Sequence, residues 1–198
     1  MSAKTLSAGF ADPVHDAQQA FRGALDALGQ PGQRVAIGDA VAGLALGAAM
    51  ARLLLALTDD DTPIWWQDAG HTAAHWLRFH TGARVADAPQ DAAFACVSQA
   101  ANMPALAAFA QGSAASPEFS TTLLLEVQSF DRGPALEWYG PGIRDVRTVQ
   151  IAGLPDAFWS GWQANHAVFP QGVDVLFTCG TEAIGLPRTT RVSRLEGV

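Results

Sequence analysis

The chain has 198 residues, which suits one domain that can bury a core without a disulfide or a metal. Apolar residues make up 49% of the sequence and charged residues only 16%, a balance that favours a subunit of an oligomer or complex over a free monomer. The formal net charge is −7 and the twelve basic residues form no run, so we do not expect a nucleic-acid partner.

Three features of the sequence indicate the cellular compartment of the protein. Residues 1–9 lack the apolar stretch that is typical of a secretion signal. Cys96 and Cys179 lie far apart in apolar runs, which suits two buried thiols in a reducing compartment better than a disulfide. Residues 41–57 contain Arg52 and many small residues, and they are fewer than the roughly 20 that a membrane-spanning helix needs. We therefore expect a soluble cytoplasmic protein with no membrane partner.

Helices alternate with short strands in the first half of the chain. Asp12 is suited to cap a helix, Pro13 suits its first turn, and apolar residues follow at spacings of three and four until Gly29 ends the helix. The elements predicted after it are a strand over 34–37, a helix over 41–57, a strand over 64–66, a helix over 73–80 ended by Gly82, a strand over 93–97, and a helix that Asn102 caps and that continues through Leu106 and Phe109.

Adjacent strands open the second half. Residues 121–128 alternate apolar and polar side chains except at Leu124, and a turn over 131–134 leads to a strand over 135–139, which by its spacing predicts a hairpin. A strand over 147–151, a helix carrying Phe158, Trp159 and Trp162, and a strand over 173–178 follow. This order predicts an α/β fold, a three-layer sandwich with a mixed sheet, in one domain over 1–198 whose residues 1–8 are flexible.

No familiar catalytic signature is present: the sequence has no phosphate-binding P-loop, no G-x-S-x-G, no H-E-x-x-H and no C-x-x-C. Gly140-Pro141-Gly142 lacks the third glycine of a dinucleotide fingerprint and falls between two predicted strands, which favours a tight turn.

Two clusters have the residue types of a metal site. His71 and His75 are four apart and would share one helix face, with His80 nearby, but no further ligand stands at a characteristic spacing, and ordinary surface histidines remain the alternative. The run 59–61 of three aspartates could bind Mg²⁺ through carboxylate oxygens, but the sequence favours a solvated acidic turn that ends a helix. We predict no metal.

Two further clusters combine cations with hydroxyl groups. Arg188, Thr189, Thr190 and Arg191 could bind a phosphate or phosphonate, since arginine pairs with such oxyanions through two hydrogen bonds; an edge strand or a subunit contact is the alternative. Residues 78–81, with Arg78, His80 and Thr81, could do the same, or could simply be a capped helix end. The aromatic residues between 158 and 169 suit either a core or an interface.

Several segments, read together and in order, are similar to one family. They are GFADPVHDAQ at 9–18, DTPIW at 61–65, WLRFHTGA at 76–83, GPGI at 140–143, GLP at 153–155, FPQGVD at 169–174 and LPRTTR at 186–191. The set resembles PhnH, a family of subunits of the carbon–phosphorus lyase machinery, over nearly the whole chain. Residues 116–118 depart from it, because Ser116 stands where the family tends to have an aromatic residue before Pro-Glu.

The resemblance implies a role in phosphonate catabolism within a complex of four kinds of subunit, PhnG, PhnH, PhnI and PhnJ. That complex, or its PhnG, PhnH and PhnI portion, helps to displace adenine from ATP with methylphosphonate and so forms α-D-ribose 1-methylphosphonate 5-triphosphate. The resemblance further implies that PhnI carries the nucleosidase chemistry and that the iron–sulfur protein PhnJ later cleaves the carbon–phosphorus bond. The resemblance also implies homodimers and a fold of the pyridoxal-phosphate-dependent transferase type without its cofactor. Lys4 is the single lysine, so a Schiff-base cofactor has no plausible anchor, and we predict no cofactor.

The family supplies no catalytic residue that could be carried over to this sequence. We therefore expect a subunit without independent catalysis, whose candidate contacts to a phosphonate or nucleotide are Arg78, His80, Thr81, Arg188, Thr189, Thr190 and Arg191. The alternative is a purely structural assembly subunit without ligand contacts.

Overall fold

The structure, a computed structural model, describes residues 8–40, 44, 46–68 and 72–194. Its α-helices are α1 Pro13–Gly29, α2 Ala48–Leu57, α3 Thr72–Thr81 and α4 Phe158–Ala167. Its strands are β1 Arg34–Ala36, β2 Ile64–Trp66, β3 Phe94–Val97, β4 Thr122–Glu126, β5 Ala135–Tyr139, β6 Arg147–Gln150, β7 Asp174–Cys179, β8 Glu182–Leu186 and β9 Arg191–Arg194.

A six-stranded mixed sheet forms the centre of the molecule, in the order β1-β8-β7-β4-β3-β2. The strands β2, β3, β4 and β7 are parallel, whereas β8 runs antiparallel to β7 and β1 antiparallel to β8. The predicted α/β class and mixed sheet are therefore confirmed. A second, three-stranded antiparallel sheet has the order β6-β5-β9.

Two apolar cores cover the two faces of the six-stranded sheet. On one face α1, α2 and α3 pack on inward side chains such as Leu124 and Leu176. On the other face α4 and the small sheet pack on Leu123, Leu125 and Phe177, through Trp138 and Trp162 among others. Both faces of the sheet are covered, and successive side chains of a strand point to opposite faces, so the three central residues of β4, Leu123 to Leu125, are all buried. This explains why Leu124 interrupts the alternation.

The start of α1 is fixed by Asp12 and Asp16. The Asp12 carboxylate accepts a hydrogen bond from the His15 backbone N–H at 3.1 Å, while the Asp12 backbone N–H donates to Asp16 at 3.1 Å. Asp16 also pairs with the buried Arg52 of α2 at 3.0 Å, and Arg52 lies over the Phe10 ring. Gly38, with φ +127°, makes room for Arg52, since a Cβ there would lie 2.6 Å from Nε.

Most predicted elements are present, but the hairpin prediction is wrong. β4 lies between β3 and β7 in the central sheet, whereas β5 pairs with β6 and β9 in the small sheet. The helix predicted from Asn102 is also wrong: the chain forms two single 3₁₀ turns, Ala100–Asn102 and Leu106–Ala108. Pro104 lies between these turns, where it lacks an N–H and disfavours helical backbone in the residue before it.

Some predictions fall on residues that the structure does not describe. Residues 1–7 of the predicted flexible segment, positions 41–43 and 45 of the predicted helix 41–57, and His71 of the histidine cluster lie outside the described residues. The described part of the helix predicted over 41–57 begins at Ala48. None of the described helices has the length and apolar character needed to cross a membrane.

The two cysteines differ in their surroundings. Cys96 is buried against Met50, with 3.3 Å between the sulfur atoms, whereas Cys179 is partly exposed, contrary to the expectation of two buried thiols. Burial raises the pKa of Cys96, and burial together with Glu126 and Glu182 raises the pKa of Cys179. Both thiols are therefore held in the protonated, weakly nucleophilic form.

Asp16→Asn tests the junction between α1 and α2. The Asp12 N–H and then Arg52 lower the pKa of Asp16 from its ordinary value of 3.8, so the carboxylate stabilises the fold above that value and the stabilisation is lost as pH falls through the folded-state pKa. We expect the variant to unfold at lower urea concentration at about pH 7 and the difference from wild type to shrink at about pH 3. A difference that stays constant over this range would contradict the ion pair.

Candidate functional site

The two predicted polar clusters lie on opposite sides of the central sheet. Arg78, His80 and Thr81 end α3, whose Trp76 and Leu77 belong to the core on the helical face. Arg188–Arg191 lead from β8 into β9, and Trp162 and Val192 beside them pack in the opposite core. The two clusters therefore cannot form one site within a single chain.

The α3 cluster has the geometry of a capped helix end. The Thr81 hydroxyl donates to the Leu77 carbonyl at 3.0 Å and accepts from the Ala83 N–H at 3.2 Å. Gly82 follows with φ +79° and donates its N–H to the Arg78 carbonyl, which confirms it as the residue that ends the helix. Arg78 and His80 are exposed, and the His80 ring stands edge-on to Trp76 and Phe79 at 5.1 Å.

All side-chain nitrogens of Arg188 donate hydrogen bonds to oxygen atoms of the protein itself. Nε donates to both Asp174 carboxylate oxygens at 3.2 Å, and Nη2 donates to Asp174 at 2.5 Å and to Ser120. Nη1 donates to the carbonyls of Pro117 and Pro170 at 3.1 and 3.2 Å. A guanidinium has five N–H groups, so none is left for a ligand while this network stands. Arg188 thus holds three chain segments together.

Helix α4 is bound to the same segment by two residues four apart, which lie on one face of the helix. The Trp162 indole N–H donates to the Thr190 carbonyl at 3.0 Å, and His166 Nδ1 lies 2.8 Å from the Arg188 carbonyl. Thr190 is fully buried and its N–H donates to the Pro187 carbonyl at 2.8 Å, so its backbone is part of the turn. Thr190 therefore contributes to the site through its backbone, which holds the turn in place.

His166 in turn orients Arg191. A carbonyl oxygen only accepts, so Nδ1 must carry the proton, and the neutral ring then presents the Nε2 lone pair. Arg191 Nε donates to that nitrogen at 3.2 Å. Within residues 8–40, 44, 46–68 and 72–194, the terminal nitrogens Nη1 and Nη2 of Arg191 have no hydrogen-bond partner. Of the two arginines in the 188–191 cluster, Arg191 is the one whose terminal nitrogens can bind a ligand.

A cleft of about 510 Å³ opens beside Arg191. Tyr139 is the cross-strand partner of Arg191 in the β5–β9 pair, so the two side chains share one face of the small sheet. Gly140 and Pro141 line one side of the cleft, and the turn that they form with Gly142 agrees with the turn interpretation of that motif. The lining residues are Tyr139, Gly140, Pro141, His166, Phe169, Thr189 and Arg191. We call this the β9 cleft.

No described residues form a group of three or more His, Cys, Asp or Glu side chains that could hold a metal. His75 is exposed on α3, and its predicted partner His71 is not described. The aspartate run forms a turn, in which the Asp59 carboxylate accepts from the Asp61 N–H at 3.1 Å and from the Thr62 hydroxyl. Asp59 therefore stabilises its own loop, in agreement with the interpretation of this run as an acidic turn.

Comparison with known proteins decides the family. Residues 8–193 match the family described as "Bacterial phosphonate metabolism protein (PhnH)". The chain belongs to the PhnH family. The resemblance noted in the sequence is thereby confirmed over almost its whole length.

Two relatives of this PhnH chain show the same relationship. It is 40% identical over 191 residues, 95% of this chain and 96% of the relative, to "Alpha-D-ribose 1-methylphosphonate 5-triphosphate synthase subunit PhnH" of Rhizobium meliloti (strain 1021). It is 31% identical over 176 residues, 89% of this chain and 85% of the relative, to "Putative C-P lyase subunit protein HtxG" of Stutzerimonas stutzeri.

The sequence predicted Arg191 and Thr189 as site residues but not the residues that complete the β9 cleft. Tyr139, His166 and Phe169 come from a strand, a helix and a loop that meet only in the fold. Asp174 was also missed, although an acidic residue at the start of a buried strand is a signal that it has a cationic partner. His166 could have been suspected from its place four residues after Trp162.

The different environments of Arg188 and Arg191 predict different effects on stability. Arg188→Gln leaves Asp174 without its partner, and we expect a loss of about 3 kcal/mol in the free energy of unfolding. Arg191→Gln removes an exposed side chain with one hydrogen bond, and we expect a change within about 0.5 kcal/mol. Urea denaturation followed by tryptophan fluorescence measures both. Equal losses in the two variants would show that Arg188 is not the structural member of the pair.

Proposed function

We propose that this PhnH chain is a non-autonomous subunit of an enzyme complex that forms α-D-ribose 1-methylphosphonate 5-triphosphate from ATP and methylphosphonate. One observation carries the proposal: a relative 40% identical to the chain, and matched over 96% of its own length, is named a subunit of that synthase. The second relative, named a putative C-P lyase subunit, supports a role in phosphonate catabolism.

The chemistry of the β9 cleft supports a subunit that contributes binding rather than catalysis. His166, the histidine in the cleft, has both ring nitrogens occupied, one by the Arg188 carbonyl and the other by Arg191 Nε–H. A general base needs a free lone pair that points to the substrate, which His166 lacks in this arrangement. We propose that partner subunits supply the reacting groups and that this chain completes or supports their substrate site.

Arg191, with Thr189 beside it, is the proposed contact to a phosphate or phosphonate oxygen. Arg188 and Thr190 act beneath them by holding the turn. Arg78, His80 and Thr81 form a second proposed contact, but they lie at the carboxyl end of α3, where the helix dipole disfavours an anion. Arg191 is therefore the preferred candidate.

An exposed apolar stripe on α1 supports assembly with other subunits. The helix buries small residues, among them Ala20 and Ala24, while Val14, Phe21 and Leu25 are 70%, 47% and 54% exposed. Contiguous exposed apolar side chains are typical of interaction surfaces. We propose the C-P lyase subunits G, I and J (PhnG, PhnI and PhnJ) as the partners in the complex, and a homodimer for the isolated chain.

Two finer expectations stay proposals. A mixed sheet covered on both faces is compatible with the fold of pyridoxal-phosphate-dependent transferases without their cofactor, and Lys4, the single lysine, lies outside the described residues. A site of action in the cytoplasm suits two thiols held in reduced form and a substrate such as ATP.

A purely structural assembly subunit is the second candidate. The complete internal use of Arg188 favours it, because one of the two arginines in the predicted oxyanion motif serves the fold alone. The free terminal nitrogens of Arg191 favour the first candidate. The two functions differ in whether loss of the Arg191 charge affects turnover in an intact complex.

Reconstitution separates the two candidates. PhnG and PhnI are mixed with ATP and methylphosphonate, with and without this chain, and the product is followed by phosphorus NMR. We expect product only in the presence of the chain, and at least a roughly ten-fold lower rate with Arg191→Gln, because a charge-assisted hydrogen bond is worth about 1.5–3 kcal/mol.

Arg194→Gln, an exposed arginine on the same strand, is the matched control and should leave the rate unchanged. Size-exclusion chromatography confirms that each variant still assembles. Equal product without the chain would reject an obligatory role in this step. Wild-type turnover by an intact Arg191→Gln complex would leave the structural function as the better account.

A further inference from the structure

The β9 cleft differs from a simple anion site in its walls. Aromatic and other apolar atoms dominate its surface, and Arg191 supplies the guanidinium. Tyr139 and Phe169 are 37% and 57% exposed, whereas most large aromatic side chains of a folded protein are largely buried. The volume of about 510 Å³ falls in the range of sites for small organic ligands.

Binding of a methylphosphonate ion would not require the aromatic walls of this cleft. That ion is small and strongly hydrated, and it would contact a guanidinium without filling a cleft with aromatic walls. A ligand that matches the cleft has two parts, an oxyanion for Arg191 and a flat apolar part for the aromatic side chains. A nucleoside phosphate has both parts in one molecule.

The positions of the side chains suit such a ligand. Tyr139 stands directly across from Arg191 in the β5–β9 register, so an aromatic ring and a guanidinium lie side by side on one face of the sheet. His166 accepts from Nε of Arg191 and leaves the two terminal nitrogens, which can bind two phosphate oxygens at once. His166 is thus a positioning residue that acts through Arg191.

We propose that the β9 cleft binds a nucleoside phosphate, with the phosphate on Arg191 and the base against Tyr139 and Phe169. This deepens the proposed function and rests on it, since ATP is a substrate of the proposed complex. It assigns the nucleotide to a site formed by β5, β9 and α4 of this chain, with His166 fixing the direction of the guanidinium.

The composition of the chain offers a direct probe of this site. Tyr139 is the single tyrosine, so the full-length protein labelled with 3-fluorotyrosine gives one fluorine NMR signal that reports on the cleft. ATP, AMP, adenosine, methylphosphonate and inorganic phosphate are titrated separately against it. We expect a saturable shift with ATP and AMP, a shift in the same direction with adenosine at higher concentration, and little effect of the two small anions.

Three variants assign the contacts. Arg191→Gln should weaken ATP binding at least ten-fold and leave adenosine binding unchanged, while Arg194→Gln should affect neither. His166→Phe, which keeps a ring but loses both nitrogens, should weaken ATP binding and spare adenosine binding. Damage to the fold would weaken both ligands together. A further variant, Phe169→Ala, should weaken adenosine and ATP alike.

The proposal falls if about 1 mM ATP, a concentration that would populate even a weak site, produces no shift. It also falls if Arg191→Gln binds ATP as wild type does, or if inorganic phosphate and methylphosphonate reproduce the ATP shift while adenosine gives none. If ATP fails to bind but reconstitution still requires the chain, the nucleotide site is wrong and the proposed function stands. If ATP binds and reconstitution does not require the chain, the proposed function is wrong instead.

Discussion

The ion pair between Arg188 and Asp174 is the contact on which the rest of the site depends. It fixes the turn between β8 and β9 to the start of β7, and through Pro117, Ser120 and Pro170 it also holds two loops. The side chains of Arg188 and Asp174 are 12% and 22% exposed, so the pair is only weakly screened by water. Because all its donors are satisfied, Arg188 holds the backbone of this turn in one position. That position sets the directions of the neighbouring side chains.

The chain then uses two nearby arginines in different ways. The Arg188 carbonyl accepts a hydrogen bond from His166 Nδ1 and so places the ring proton on that nitrogen. His166 Nε2 accepts a hydrogen bond from Arg191 Nε–H, which leaves the terminal nitrogens of Arg191 at the β9 cleft. Trp162 holds the same helix against Thr190, which limits the movement of His166 relative to β9. A binding group is therefore prepared before a ligand arrives, and pre-organisation of this kind reduces the entropy lost on binding.

The sequence predicted local features well and long-range pairings poorly. The helix from Pro13, the strand around Leu124 and the stop at Gly82 follow from capping, hydrophobic run and glycine geometry, which act over a few residues. The hairpin failed because the turn after β4 does not reveal that β4 pairs with strands 28 and 52 residues away. In the site, Arg191 was predictable from its motif, whereas Tyr139 and His166 reach it only through β5–β9 pairing and the docking of α4.

The tautomer of His166 is a direct test of this arrangement of Arg188, His166 and Arg191. The structure requires the proton on Nδ1, because the Arg188 carbonyl can only accept and Arg191 needs the lone pair of Nε2. In protein labelled with ¹⁵N-histidine, nitrogen–proton correlation spectra near neutral pH assign the tautomer of each ring, and His166→Asn identifies the signal. The hydrogen bonds of His166 predict a proton on Nδ1, retained in Arg191→Gln. A proton on Nε2, or an average of the two tautomers, would contradict it.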